Sequence, residues 1–216
     1  VVVRGSFPIA ALKFLVATCV IHCVYFTALA QSYRHGDFSR VYPIARGLGV
    51  ALVPVVAFFW LDEKLSGLGY AGIGLVVIGL ATPALLTRDR PSKISRGTAW
   101  AILTGLCICM YSTIDKQGVA ILDPLPYVGV LGLGTSVLIS PLALSRWPAL
   151  VSEWRENRVR ILLSATMNLS AYLLVLFAFR MSKAGYVVAT REVSIVFSAI
   201  LGALVLGEEA PKRRLL

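Results

Sequence analysis

The chain has 216 residues, of which 57% are hydrophobic and only 15% are charged. A soluble domain carries about 25% charged residues, and a disordered chain needs low hydrophobicity, so the composition excludes both classes. Four cysteines are too few for a disulfide-stabilised scaffold. The net charge is +10, but the basic residues cluster between apolar segments, which favours membrane lipids over nucleic acid as the partner. The sequence therefore predicts an integral membrane protein.

Seven apolar segments follow one another along the chain. They cover residues 9–30, 39–61, 68–86, 97–114, 126–144, 161–179 and 184–206. Each is long enough to cross a hydrocarbon core of about 30 Å as a helix. A helix satisfies its own backbone in lipid, and the sequence lacks the alternation typical of a transmembrane β-barrel. We therefore predict an all-α, multi-span bundle of about seven transmembrane helices.

The segment between the fifth and sixth spans has a helical pattern of its own. Trp147, Leu150, Val151 and Trp154 recur at the spacing of one helical face, and charged residues lie between them. This pattern predicts a short amphipathic helix in the membrane interface, with a simple loop as the alternative.

An internal repeat relates the two halves of the chain. Arg46 precedes Glu63 by the same number of positions as Arg191 precedes Glu208, and each pair begins in an apolar segment and ends at a Leu-x-Glu motif. An arginine inside an apolar segment is rare, so the matched spacing carries most of the weight. Internal repeats are typical of secondary transporters, which bind substrate where the repeats meet.

The order of several short motifs resembles a known family. They are Ala-Leu-x-x-Ser at 28–32, Val-Tyr-Pro-Ile-Ala-Arg at 41–46, Leu-Asp-Glu-Lys-Leu at 61–65, the glycine pattern at 69–79, Thr-Arg-Glu-Val-Ser-Ile-Val at 190–196 and Leu-Gly-Glu at 206–208. Together they resemble an EamA-type transporter of the drug/metabolite transporter superfamily. The resemblance implies ten helices in two inverted five-helix repeats, of which this chain supplies helices three to nine. It assigns residues 1–90 to an N-terminally incomplete repeat and residues 91–216 to a C-terminally incomplete one.

Two arginines inside the apolar segments are the first candidate site residues. A charge at the bilayer centre costs at least about 2.5 kcal/mol. Arg46 and Arg191 either extend toward the membrane surface or face a cavity and bind an anionic group, such as a carboxylate, bidentately. Tyr42 lies one turn before Arg46, and Ser194 continues the polar stripe of Arg191. We therefore include these four residues in the predicted substrate site.

Three further polar residues complete the predicted substrate site. Glu192 is an acidic residue inside a span, where an ion-pair partner for an arginine and a protonatable coupling site are both open interpretations. Asn168 and Tyr172 lie one turn apart on the sixth segment. Helix–helix hydrogen bonding and lining of a pore both explain that pair.

Several other patterns favour structural roles. Glu63 and Glu208 are expected to be solvated end charges or helix caps, and Asp115 with Lys116 to be an interface anchor. The glycines at 69–79 predict close helix packing. The cysteines lack the converging ligands of a metal site, and no cofactor motif is present, so we expect neither a metal nor a cofactor.

The leading hypothesis is a secondary transporter that moves a small metabolite, an amino acid or other small organic solute, by alternating access. A coupling proton or ion and a homo-oligomer are compatible with the sequence. No enzyme motif is present, so we expect no catalytic residues. The alternatives are a non-transporting membrane subunit or degenerate fragment, and a membrane-embedded lipid-modifying enzyme. The expected location is the plasma membrane as a multi-pass protein, in a bacterium the inner membrane.

The distribution of positive charge does not decide the orientation. Lysine and arginine are about twice as frequent on the side that includes Arg34 and Arg146 as on the other, which the positive-inside rule places in the cytoplasm. The family template places the same side outside, so the orientation stays open.

Overall fold

The computed structural model describes residues 8–86, 95–195 and 197. Its helices are α1 (Ile9–His35), α2 (Phe38–Leu61), α3 (Gly67–Leu86), α4 (Arg96–Ile121), α5 (Pro124–Leu144), α6 (Trp147–Met181) and α7 (Ala184–Arg191). No strand occurs within these described ranges. Helices α1, α2, α4, α5 and α6 are long and apolar enough to cross a membrane, and α3 contains a shorter apolar stretch. The predicted all-α, multi-span fold is confirmed, and the predicted segment 184–206 is described only in its first part.

Helix α4 is the central element of the bundle. Ser95 caps its first turn, because the side-chain oxygen accepts the backbone N–H of Thr98 at 3.2 Å. The helix contacts α1, α2, α5, α6 and α7. A helix that is apolar on all sides is typically buried, and buried residues extend from Gly97 to Val119 on α4. This central position lets α4 place Asp115 and Lys116 in contact with polar groups of other helices.

Close helix packing occurs at Gly105 of α4 and at Gly69 of α3, but not at every glycine of α3. A Cβ added to Gly105 would lie 2.8 Å from the Leu48 Cβ and 2.9 Å from the Ala45 carbonyl oxygen of α2. By contrast, a Cβ at Gly72, Gly74 or Gly79 of α3 would meet nothing within 4 Å among the described atoms. The predicted close packing of the α3 glycines is therefore found at Gly69, where an added Cβ would lie 2.5 Å from the Tyr186 hydroxyl oxygen, and it is wrong for the other three among the described residues.

This difference gives a first prediction. Gly105→Ala should destabilise the protein by about 1–3 kcal/mol, because the added methyl group forces α2 and α4 apart. Gly72→Ala is the matched control and should be close to neutral, because its methyl group enters open space. Thermal unfolding of both purified variants in detergent measures the effect. Equal melting temperatures for the two variants would contradict this account of the α2–α4 contact.

Helix α6 joins the predicted interfacial segment to a membrane span. The backbone is helical from Trp147 to Met181 except at Asn157, where φ is −123° and ψ is 17°. Residues 147–154 are therefore helical, and the loop alternative is wrong. Trp147 and Trp154 are 59% and 48% exposed. Tryptophan is enriched at membrane–water interfaces, so this first part of α6 has the composition of an interfacial helix.

Candidate binding cavity

A cavity of about 300 Å³, the central cavity, lies between α1, α4, α5, α6 and α7. Most of its wall is apolar or aromatic. The aromatic residues on the wall are His22, Tyr25, Phe26, Tyr111 and Tyr172. Small-molecule sites typically combine such a wall with a few well-placed polar groups, so the polar side chains on this wall decide what the cavity can bind.

The aromatic side chains of the central cavity form one packed wall. The His22 ring lies 4.4 Å from the Tyr111 ring and 5.6 Å from the Tyr172 ring, measured between centroids. Tyr25 meets Tyr111 edge-on at 5.5 Å. His22 Nδ1 donates to the Thr18 carbonyl oxygen at 2.9 Å, which fixes the orientation of the imidazole. Ring pairs in these geometries stabilise one another, so the wall is preorganised.

Two polar groups on the wall of the central cavity lack a hydrogen-bond partner among the described residues. Arg191 and Thr135 both line it. The Nη1 of Arg191 and the Oγ1 of Thr135 are buried, and neither makes a hydrogen bond to any described residue. A buried donor without a partner is costly, most of all when it carries charge. The cavity is therefore chemically suited to a ligand with an anionic, hydrogen-bond-accepting group.

The second predicted arginine is already paired. Arg46 Nη2 lies 3.0 Å from Glu192 Oε1, and Arg46 Nε donates to Glu192 Oε2 at 3.2 Å. This is the bidentate geometry of an arginine–carboxylate pair. Arg46 lies about 12 Å along α2, and Glu192 about 12 Å beyond the start of α7. The pair therefore joins the two predicted repeats deep in the bundle. Of the two interpretations of Glu192, the ion pair with an arginine is the one that this contact shows.

A smaller cavity of about 160 Å³ adjoins the ion pair. Arg46, Tyr42 and Tyr33 line it, and Tyr25 lines both this cavity and the central one. The Arg46 guanidinium lies 6.0 Å from the centre of the Tyr42 ring, at the limit of a cation–π contact. Shared lining by Tyr25 places the two cavities side by side.

Asp115 is fully buried in α4 and contacts two tyrosines. Tyr127 donates its hydroxyl to Oδ1 of Asp115 at 2.8 Å, and Tyr172 donates to Oδ2. The prediction that Asp115 is an interface anchor is wrong, because α4 continues to Ile121 and keeps this residue inside the bundle. Tyr172 both holds this carboxyl group and lines the central cavity, so the two features are in direct contact.

The Asp115 cluster gives a second prediction. Tyr127→Phe removes one of the two hydroxyl groups that satisfy the buried carboxyl group. We expect a loss of about 1–3 kcal/mol in stability, the usual effect of leaving a buried polar group less satisfied. Tyr70→Phe is the control, since the Tyr70 side chain is 43% exposed. Thermal unfolding in detergent compares them, and equal stability of the two variants would contradict a stabilising role for the Tyr127 hydroxyl group.

One end of the bundle is closed by a polar network around Glu63. Asp62 has a left-handed backbone with φ 51° and ψ 32° and ends α2. Glu63 Oε2 accepts the backbone N–H of Ala184 at 2.7 Å, and Glu63 Oε1 lies 3.5 Å from Lys116 Nζ. Lys116 also donates to the Ser182 carbonyl oxygen at 2.7 Å. Glu63 thus caps the helix N-terminus of the other half of the chain, where its charge is favourable.

Further contacts extend the closed end. Tyr186 of α7 meets Ser66, whose backbone N–H lies 3.0 Å from the Tyr186 hydroxyl oxygen. Lys183 donates to the Lys64 carbonyl oxygen, and Arg180 pairs with Asp123. The contacts of Tyr186 and Lys183 join the α2–α3 connection to α7 and the α6–α7 turn, and the Arg180–Asp123 pair joins the end of α6 to the α4–α5 connection.

A family profile matches residues 95–216, which is just over half of the chain. The profile is that of the EamA-like transporter family. The chain belongs to the EamA-like transporter family. The resemblance inferred from the motif order is confirmed, and the chain is a multi-pass membrane protein of a transporter family.

Residues 8–76 match a second profile, that of the Small Multidrug Resistance proteins. The chain is also similar to a curated protein, the nicotine metabolites export pump subunit NepA of Paenarthrobacter nicotinovorans. The two are 35% identical over 71 residues, which cover 33% of this chain and 61% of NepA. The chain thus spans about three fifths of the length of this relative.

The predicted site residues of this EamA-like chain fall in different places. Asn168, Tyr172 and Arg191 line the central cavity. Tyr42 and Arg46 line the smaller cavity, Glu192 pairs with Arg46, and Ser194 is exposed and lines neither cavity. Five of the seven residues therefore lie on the two cavities, and Glu192 is joined to them by its ion pair.

The sequence interpretation missed several cavity residues. His22, Tyr25 and Tyr111 line the central cavity, and Asp115 lies behind it. One signal could have found two of them, since Tyr111 and Asp115 are four residues apart and share a face of α4. No local pattern links His22 to Tyr111, because they meet only after α1 packs on α4.

The described residues contain no group of three or more histidine, cysteine, aspartate or glutamate side chains that could hold a metal ion. Cys19, Cys107 and Cys109 are buried as free thiols, and Cys23 is partly buried. Small sulfhydryl side chains pack well in apolar surroundings. The polar groups of the cavity, rather than a metal centre, are therefore the chemistry that the described part offers.

Proposed function

We propose that this chain forms the solute pathway of a secondary transporter that moves a small organic carboxylate through the central cavity by alternating access. One observation carries the proposal: the guanidinium group of Arg191 has a buried nitrogen without a partner in the described protein, on the wall of a preformed aromatic cavity. A carboxylate would satisfy that nitrogen and neutralise its charge. Membership of a transporter family supports movement of the ligand across the membrane rather than its retention.

The size and surface of the cavity support the same class of solute. A volume of about 300 Å³ accommodates on the order of ten non-hydrogen atoms, since a water molecule occupies about 30 Å³ of liquid. The rings of His22, Tyr25 and Tyr111 offer an apolar face to the body of the ligand. A small carboxylate with an apolar or aromatic body, such as an amino acid, fits both features. We therefore propose this class of solute.

Alternating access requires that the pathway close at one end while it opens at the other. The contacts of Glu63, Lys116 and Tyr186 support a state closed at their end of the bundle. Opening that end would separate the α2–α3 connection from the α6–α7 turn. The proposal keeps the division into repeats at residues 1–90 and 91–216, and the two family matches fall on either side of that boundary.

The similarity to a pump subunit bears on the direction of transport and on the association of subunits. NepA is named as an export pump subunit, so we propose export as the direction of transport and association with a second subunit, identical or different. The outward face of α6 offers a surface for such contacts, since Leu163, Met167 and Leu174 are 59%, 72% and 69% exposed. The proposed location is the plasma membrane, in a bacterium the inner membrane.

Transport by the full-length protein in proteoliposomes tests the proposal. Two matched pairs of probes isolate the effect of charge: benzoate against benzamide, and phenylacetate against phenylacetamide. We expect at least one carboxylate to be transported at least tenfold faster than its neutral partner, because only the carboxylate satisfies Arg191. Equal rates within both pairs would contradict the proposed class of solute. A complete lack of transport would favour the alternative of a non-transporting subunit.

A further inference from the structure

A second groove lies at the end of the bundle opposite to Glu63. Its volume is about 320 Å³, and it is formed by the last turns of α1, the end of α5 and the first turns of α6. Ala30, Ile139, Leu142 and Ala143 supply apolar surface. No residue of this groove lines the central cavity except Ile139. The groove is therefore distinct from the central cavity, and Ile139 lines both.

Two arginines stand at the rim of this groove. Arg34 is in the last turn of α1, and Arg146 lies between α5 and α6. Both side chains are exposed, and neither guanidinium group makes an ion pair or hydrogen bond with another described residue. Two guanidinium groups without a partner among the described residues, above an apolar groove, favour a ligand with an anionic head and an apolar tail.

The position along the membrane normal supports the same ligand. Trp147 and Trp154, both strongly exposed, flank Leu150 of the groove on the interfacial part of α6. Tryptophan is enriched at the level of the lipid headgroups. The rim of the groove therefore lies at headgroup level, and its apolar floor extends toward the hydrocarbon core. Basic pockets between transmembrane helices at this level bind anionic headgroups.

We propose that this groove binds an anionic phospholipid, with its phosphate between Arg34 and Arg146 and an acyl chain along α1 and α5. The proposal is independent of the transported solute, because lipid binding is measured without transport. The groove is on the side of the protein that is richer in lysine and arginine. An anionic lipid there complements the charge of both the groove and its surroundings.

Native mass spectrometry of the purified full chain in neutral detergent tests the proposal. Phosphatidylglycerol is titrated against phosphatidylcholine with the same acyl chains. We expect preferential binding of phosphatidylglycerol, weakened about 30-fold in the double variant Arg34→Ala/Arg146→Ala, because each arginine near a membrane surface contributes about 1 kcal/mol. The matched control is Arg155→Ala/Arg158→Ala, which removes the same charge from a part of α6 that does not line the groove. An equal loss in the control pair would overturn the proposal, since it would indicate unspecific attraction.

A third variant tests the apolar part of the groove. Ala143→Trp keeps both arginines and fills the floor, so it should reduce phosphatidylglycerol binding at least tenfold. Inorganic phosphate is the second probe, and it should not displace the lipid, because it gains nothing from the groove. Displacement by phosphate at millimolar concentration, or unchanged lipid binding in Ala143→Trp, would overturn the proposal. Melting temperatures in neutral detergent confirm that each variant is folded before its binding is compared.

Discussion

Arg191→Leu should abolish carboxylate transport without destabilising the protein. We expect the apparent affinity for the carboxylate to fall at least 100-fold, because a charge-assisted contact in a buried site contributes about 3 kcal/mol. The melting temperature should stay unchanged or rise, because the wild-type side chain has a buried nitrogen that no described residue satisfies. Transport in proteoliposomes and thermal unfolding in detergent measure the two effects.

The combination of lost function and retained stability separates a ligand-binding arginine from a structural one. Arg158→Ala is the matched control, since Arg158 is exposed on the first half of α6, and it should transport normally. Arg191→Lys should recover part of the affinity, because a lysine keeps the charge but loses the bidentate geometry. A large drop in the melting temperature of Arg191→Leu would contradict the role that we assign to Arg191.

Removal of either partner of the Arg46–Glu192 pair should give the largest loss of stability. We expect Arg46→Met and Glu192→Gln each to destabilise the protein by about 3–5 kcal/mol, because each change leaves a buried charge without its partner. The side chains are only 19% and 5% exposed, so solvent screens the pair little. Thermal unfolding in detergent measures the loss.

The double variant Arg46→Met/Glu192→Leu gives the decisive comparison. It removes both charges, so it should recover most of the stability lost in the single variants. Arg180→Ala is the control, since its pair with Asp123 is exposed and exposed pairs contribute about 0–1 kcal/mol. Additive losses in the double variant would show that Arg46 and Glu192 act independently, contrary to the contact described above.

The spans were predictable because lipid imposes a single local solution on an apolar segment. The predicted segment 39–61 corresponds to α2 at Phe38–Leu61, and the predicted segment 126–144 to α5 at Pro124–Leu144. Helix α4 was predicted too short, since its polar end at Asp115 resembles a helix terminus in sequence. The structure buries that end under Tyr127 and Tyr172. Only the tertiary contacts show that these polar groups satisfy one another.

Residues of the candidate site could be selected from the sequence where a charge lies in apolar surroundings. Arg46, Arg191 and Glu192 stand out because each is costly in a span. Their different roles did not follow from the sequence, since a matched position in each half predicts equal roles. The structure pairs Arg46 with Glu192 and leaves a nitrogen of Arg191 unsatisfied among the described residues. His22 carries no such signal, because a histidine in a span is compatible with packing alone.

The most direct test of the central cavity is the labelling rate of a single cysteine placed on its wall. Gly132 lines the cavity, and a Cβ there meets no described atom within 4 Å, so we expect Gly132→Cys to be tolerated in a variant whose native cysteines are replaced. A membrane-impermeant methanethiosulfonate reagent should reach this position from the end opposite to Glu63. The carboxylate selected by the transport assay should slow the labelling at least fivefold, and its neutral amide should not. Labelling that the carboxylate leaves unchanged would contradict the claim that this cavity holds the solute.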